Sequence, residues 1–207
     1  PVAIGFGVPF AYLLHAAAER IGPSGVPPEI LAAVQTTLLF ASAATAIGVT
    51  AGLVIAYSVR RLSGRSSAAV VTLASIGYAT PGTVVAIAIL PTVAGVDRLL
   101  GVVVDALSGR VIGLLFLGSG MAVLYAYFVR FLAVTVGGAE SALAKLPRSL
   151  DDAAATLGAV PRERMWHVHL PLIRRAMAAS AVLMFVDCMK ELPATLLLRP
   201  LGVETLA

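Results

Sequence analysis

Asp152-Ala153-Ala154, then Gly158, then Val168-His169-Leu170-Pro171 make a polar, small-residue stretch wedged between long apolar runs. Ser149 and Asp152 have the spacing of a capping box, with Ser149 at the N-cap and Asp152 answering from the third helical position. Pro147 just upstream discourages an earlier helix start. Leu150, Ala154 and Leu157 recur at i, i+4 and i+7, which gives one narrow apolar stripe, with Arg148, Asp151 and Asp152 off it. Gly158 suits a left-handed C-terminal cap, and Pro161 can open the next helix at its first position. Pro171 then marks the turn into the following apolar run. The expected shape is two short helices around a glycine turn.

Composition places this hairpin against a bilayer. Hydrophobic residues make up 59% of the chain and charged residues 13%, with a mean hydropathy of +0.95. A soluble domain carries about twice that charged fraction, so this chain cannot cover its own surface with polar groups. Spanning the hydrocarbon takes about 20 apolar residues as helix. Five segments qualify: 2–18, 31–59, 68–90, 111–133 and 174–198. The Gly22-Pro23-Ser24-Gly25-Val26-Pro27-Pro28 stretch separates the first two. The expected fold is all-α, a single polytopic membrane domain over 1–207, with a projecting hairpin at about 134–173. The chain opens at Pro1 and has no charged region followed by a cleavage site, so it reads as a piece of a longer protein rather than one starting with a signal peptide.

Lys and Arg give the orientation. The loops at 60–67 and 134–173, with their flanking helix ends, hold ten basic residues: Arg60, Arg61, Arg65, Arg130, Lys145, Arg148, Arg162, Arg164, Arg174 and Arg175. The opposite side holds four: Arg20, Arg98, Arg110 and Arg199. The positive-inside rule therefore puts the hairpin in the cytoplasm, and Glu19, Glu29, Asp97, Asp105 and Glu204 outside. The net charge of +4 sits in these short clusters at the ends of apolar runs, an orientation signal and not a nucleic-acid footprint. Trp166 reads as an interfacial anchor.

Within the spans, Ala44, Gly48 and Gly52 lie four apart, a small-residue face suited to close helix packing or to lining a pathway. Tyr78, Pro81 and Gly82 sit near the middle of the third span, where Pro81 should kink the helix, again as packing or as pathway lining. Asp187, Lys190 and Glu191 share one helical face of the fifth span, with Pro193 breaking the helix just beyond. Such charges either line a pathway near its outer mouth or form a self-neutralised cluster that locks the helix to a neighbour.

Several chemistries are excluded. No G-x4-G-K-[ST] is present, so this chain has no P-loop for ATP. No Ser/His/Asp, Cys/His or H-E-x-x-H arrangement suggests catalysis. His167 and His169 are two apart and lack a nearby carboxylate or thiolate partner in sequence, so no metal site is expected. His15 reads as a helix-contact residue. Cys188 is the single cysteine, which rules out a disulfide within these residues.

The spacing D-A-A-x3-G-x9-V-x-L-P resembles the coupling-loop signature E-A-A-x3-G-x9-I-x-L-P of binding-protein-dependent ABC importer permeases. Asp152 stands for the usual Glu and Val168 for Ile. The run Met189-Lys190-Glu191-Leu192-Pro193-Ala194-Thr195 and the upstream Tyr78-Ala79-Thr80-Pro81-Gly82 look like the ferric-iron permeases, a branch related to sulfate, thiamine, polyamine and phosphonate permeases. The resemblance covers about 34–207. It implies a type I importer permease fold with a sixth span beyond these five, in the cell inner membrane. It implies that Asp152, Ala153, Ala154, Leu157, Gly158, Leu170 and Pro171 couple to a separate ATPase dimer. That subunit would hold ATP and Mg²⁺, with no cofactor bound here. It further implies an extracytoplasmic binding protein and a second permease half in the same or another chain. An ion-coupled transporter would leave the hairpin unexplained and predicts mid-membrane acids, whereas the acids here cluster toward one end.

Overall fold

The computed structural model describes residues 2–21, 25, 27–62, 64–110, 113–200, 202–203 and 205–206, without the side chains of 2, 3 and 21. Most of the Gly22–Pro28 punctuation and Glu204 lie outside the described residues. The elements are helical throughout: α1 (Val2–Ile21), α2 (Pro28–Arg61), α3 (Arg65–Ala79), α4 (Gly82–Ser108), α5 (Leu115–Gly118), α6 (Met121–Ala144), α7 (Arg148–Thr156), α8 (Pro161–Glu163), a π-helical segment (Arg164–His169), α9 (Leu170–Met189) and α10 (Leu192–Leu198). Among the described residues, α2, α4 and α6 are each long and apolar enough to cross a membrane.

The all-α expectation holds, and the span boundaries change in three places. The third span, expected over 68–90, is two helices. Thr80 is forced to extended backbone (φ −92°, ψ 138°) by the ring of Pro81, so α3 stops and α4 starts afresh at Gly82. The kink expected at Pro81 is thus a complete break, and α4 runs on through Pro91 to Gly109, whose φ of 62° ends it. Asp97 accordingly does not face outward from a loop. It is buried in α4, where its carboxylate accepts the N–H groups of Phe116 (2.8 Å) and Leu117 (3.1 Å) and so satisfies the first turn of α5.

The fourth span is shifted from 111–133 to Met121–Ala144. Residues 134–144, expected as loop, continue the helix. Gly138 is needed there, since a Cβ would overlap Ser180 Oγ on α9. The projecting hairpin therefore narrows to 145–169. Arg130, counted above as a loop charge, lies inside α6, about 14 Å from its start. The fifth span, expected over 174–198, breaks between Met189 and Leu192. Glu191 becomes the N-cap of α10 and does not share the α9 face with Asp187.

α6 is the central helix, packed by α2, α3 and α9. One apolar cluster joins Phe40, Ala41 and Ala44 of α2 to Val85, Ala86 and Ile89 of α4, Ala122–Phe131 of α6, and Met184, Cys188, Ala194 and Leu198. A second cluster, nearer the hairpin, joins Leu53 and Ala56 to Ala139, Leu143, Met165, Ile173 and Met177. The Ala44-Gly48-Gly52 face holds the bundle together between them. A Cβ on Gly48 would meet Met184, and one on Gly52 would meet Thr135, whose hydroxyl donates to the Gly48 carbonyl (2.8 Å). Of the two readings of that face, close packing is the one realised.

Candidate functional site

Two polar centres stand along α6, one at its hairpin end and one nearer its middle, at the helix breaks. At the hairpin, α7 begins at Arg148 with Pro147 as N-cap and no side-chain cap bond, so the Ser149–Asp152 capping box is not formed. Proline at the boundary starts the helix two residues earlier and leaves Ser149 in the first turn. Gly158 has φ +83°. Its N–H donates to Ala155 O (2.9 Å), and the next N–H, of Ala159, reaches back to Ala154 O (3.0 Å). This Schellman closure is what the glycine provides. Glu163 Oε2 accepts the Val160 N–H (3.0 Å) and starts the next helix.

That next helix is not a separate short piece. From Pro161 the chain is helical through Met189, with a π segment at Arg164–His169. Pro171 therefore does not turn the chain but sits in the first turn of α9. The Leu170 N–H spans five residues to Met165 O, so the proline ring falls beside carbonyls that the wider helix has already displaced.

Of the residues expected to couple, Asp152, Ala153 and Gly158 are exposed, Ala154 and Leu170 are half-buried, and Pro171 is exposed. Leu157 is 88% exposed at the very tip, so the expected apolar stripe does not pack inward along its length. The residues that hold the hairpin in place are different ones. Arg60, the penultimate residue of α2, donates from Nε (3.1 Å) and Nη2 (2.8 Å) to Asp151 Oδ2. Its Nη2 also reaches Leu146 O (3.0 Å) and its Nη1 the Leu143 carbonyl. One guanidinium thus ties α2, the end of α6 and α7. Tyr57 OH donates to Pro161 O (2.9 Å), and its ring packs on His169 at 5.4 Å. Fully buried His169 places Nε2 2.8 Å from Asp151 Oδ1, off the line of a directed hydrogen bond. Beside this knot lies a cleft of about 280 Å³ lined by Arg60, Arg61, Arg148, Arg164, Asp151 and Asp152.

Burial pushes the His169 imidazole below its ordinary value, and the Asp151 carboxylate offsets this only in part. Burial acts to raise Asp151, but hydrogen bonding from Arg60 and the charges of His169, Arg60 and Arg164 hold its carboxyl below the usual carboxylate range. Both groups bind fewer protons folded than unfolded, so stability of the knot rises with pH through each window. It is complete above the unfolded histidine value of 6.5 and is lost as pH falls from there toward the depressed folded value, with a second loss below the 3.8 of a free aspartate. Amide exchange of α7 should accelerate between about pH 7 and 5, and His169→Asn should flatten that dependence. Exchange rates of α7 that are independent of pH, after correction for intrinsic chemistry, would contradict the assignment.

At the second centre, Arg130 of α6 donates from Nε to Glu191 Oε2 (2.9 Å) and from Nη1 to the Thr80 carbonyl. Glu191 Oε1 accepts the Ala194 N–H (3.3 Å) and caps α10. A Cβ on Gly82 would overlap Glu191 Oε1, so any larger residue at the start of α4 would push that carboxylate aside. Tyr127 and Thr195 hydroxyls meet at 2.6 Å. Asp187 pairs with Lys190 at 2.7 Å, the carboxylate buried and the ammonium 69% exposed. Of the residues singled out in sequence, Gly82 and Glu191 meet here, Tyr78 and Pro81 are exposed beside them, and Pro193 opens α10. Arg130, Arg60, Asp151 and His169 were missed as site residues. The signal available was each Arg's distance from the helix end, which depended on the boundaries. Among the described residues no group of three or more His, Cys, Asp or Glu could hold a metal ion.

Residues 48–205 match the family model described as binding-protein-dependent transport system inner membrane component. The ferric transport system permease protein FbpB of Actinobacillus pleuropneumoniae is 26% identical over 195 residues, covering 94% of this chain and 26% of that protein. FbpB 1 of Haemophilus influenzae, named as a candidate ferric transport system permease, is 27% identical over 94% of this chain and 28% of its own length. PhnV of Salmonella typhimurium, named as a candidate 2-aminoethylphosphonate transport system permease, is 37% identical over 84 residues, 41% of this chain and 32% of that protein. The chain thus spans about a third or less of the length of these relatives.

Proposed function

Because the chain belongs to the binding-protein-dependent transport system inner membrane component family, we propose that it forms part of the translocation pathway of an ATP-driven importer of ferric iron. In this reading the hairpin at 145–169 is cytoplasmic and docks into a separate ATPase through Leu157, Gly158 and the exposed face of α7. A substrate-binding protein delivers cargo to the opposite face, and a second permease half completes the pathway. The observation that carries this is Leu157, an apolar side chain 88% exposed on a glycine-closed tip that is anchored firmly behind it by Arg60. A large apolar residue presented that way is suited to a partner's groove. Ferric iron as cargo is supported by likeness to FbpB over most of the chain, against a phosphonate likeness over less than half of it.

The test uses the complete permease reconstituted with its ATPase and binding protein. Leu157→Asp should weaken ATPase association by about 2 kcal/mol, roughly 30-fold, without changing the melting temperature of the solubilised permease. ATP-driven uptake of radiolabelled Fe³⁺ should fall in parallel. Undiminished ATPase binding by the variant would refute the docking assignment, and uptake of 2-aminoethylphosphonate in place of iron would refute the cargo.

A further inference from the structure

We infer that the Arg130–Glu191 ion pair is the closed latch of the pathway, holding two broken helices together, and that Arg130 is its positioning residue. This rests on the reading of the chain as an importer permease. Two features make the pair a latch and not a general packing contact. First, it sits where two chain breaks meet. The α3–α4 break at Thr80-Pro81 and the α9–α10 break at Lys190-Glu191 both end on the Arg130 guanidinium, one through the Thr80 carbonyl and the other through the Glu191 carboxylate. Non-helical backbone at membrane depth is tolerated where it is buried in protein or lines a water-filled cavity. Second, the pair is asymmetric in exposure. The Glu191 side chain is 7% exposed and that of Arg130 19%, so the guanidinium is the partner that an opening pathway would reach.

The remaining ties of α10 identify what moves. Its first turn is capped by Glu191 itself. The Tyr127–Thr195 hydroxyl contact adds one neutral hydrogen bond to α6, and Ala194 and Leu198 pack into the apolar cluster shared with α4 and α6. Release of Glu191 therefore frees both the cap of α10 and the hold on the start of α4, where Gly82 leaves room for the carboxylate. A charged pair out of water either stays closed or separates with each partner re-solvated, which gives two discrete arrangements. Opening would bring water to the base of α10 and to the buried Cys188, which lies three residues before Glu191 and is 0% exposed.

Cys188 supplies a readout independent of transport. In the assembled importer, with any other cysteine replaced, a small membrane-permeant thiol reagent should leave Cys188 unmodified at rest. Glu191→Gln should expose it. Whichever way the amide turns, either the Ala194 N–H or the Arg130 guanidinium loses its acceptor. Modification should accelerate about tenfold, and ATP hydrolysis without the binding protein should rise by a similar factor, within the usual range of a coupling energy. The doubly exchanged Arg130→Glu/Glu191→Arg protein should recover part of the protection. Gly82→Ala keeps both charges but displaces the carboxylate and should reproduce the Glu191→Gln effect, which keeps the test alive if removing a charge prevents assembly. Unchanged Cys188 reactivity in assembled Glu191→Gln and Gly82→Ala proteins would overturn the latch. Failure of ATPase association with altered Cys188 reactivity would instead count against the importer reading and leave the latch standing.

Discussion

Substituting alanine for Gly77 should cost about 3 kcal/mol of stability, more than any other single methyl addition in the bundle. α3 meets α6 there backbone to backbone. A Cβ would overlap the Val129 carbonyl oxygen and lie 2.7 Å from the carbon that bears it, with Arg130 Cα at 3.1 Å. No side chain can rotate away to relieve this, so the whole of α3 must shift. Small residues at such crossings are how helices in lipid gain dispersion contacts when no hydrophobic driving force separates them from their surroundings. The displacement would also draw Thr80 O off the Arg130 guanidinium. Gly137→Ala is the control, since nothing lies within 4 Å of its added carbon. Thermal unfolding of the solubilised protein should separate the two variants clearly. Equal melting temperatures would show that α3 is not held by that contact.

In the proposed importer, Arg60→Met should uncouple transport from ATP hydrolysis. The guanidinium reaches Asp151, Leu143 O and Leu146 O, and removing it strands the Asp151 carboxylate beside buried His169. Breaking a buried pair by deleting one member costs about 3–5 kcal/mol. The lower end applies, because the Arg60 and Asp151 side chains are 12% and 22% exposed. The tip with Leu157 is untouched, so ATPase association should survive while uptake per ATP hydrolysed falls toward background. Arg60→Lys should restore little, because an ammonium cannot present the planar fork that meets these acceptors. Full coupling in Arg60→Met would show that force reaches the spans by another route.

The two ends of the molecule were not equally legible. Gly158 announced its own conformation, because a polar helix followed by glycine has one common ending. Pro81 announced a disruption but not its extent, which depends on how far Thr80 is driven from helical backbone. The start of α6 was misplaced because the apolar run from Val111 continues smoothly through the Gly118–Gly120 turn. Its end was misplaced because the close approach of Gly138 to Ser180 on α9, which packs that last stretch into the bundle, is a tertiary contact. That one shift turned Arg130 from an orientation charge into the tie between two helix breaks. Asp187, Lys190 and Glu191 were visible as costly charges in lipid. The Asp187–Lys190 pair follows from their i,i+3 spacing, but Arg130 as the partner of Glu191 does not, since helical spacing sets Glu191 beside Asp187 only if the helix continues. The Ala44-Gly48-Gly52 face was the most transparent feature, its meaning being set by residue size alone.

The six residues Arg164–His169 carry π rather than α geometry, so the helix between hairpin and membrane holds a surplus of chain. An α-helix advances its side chains by about 100° per residue. Taking up or releasing one residue in that stretch would re-aim everything on its hairpin side by about that angle relative to α9, with neither segment unfolding. The linkage is therefore less a rigid rod than a shaft with a phase adjuster in it, and the buried side chains of Met165 and His169, set in that same stretch, hold the adjuster at one setting.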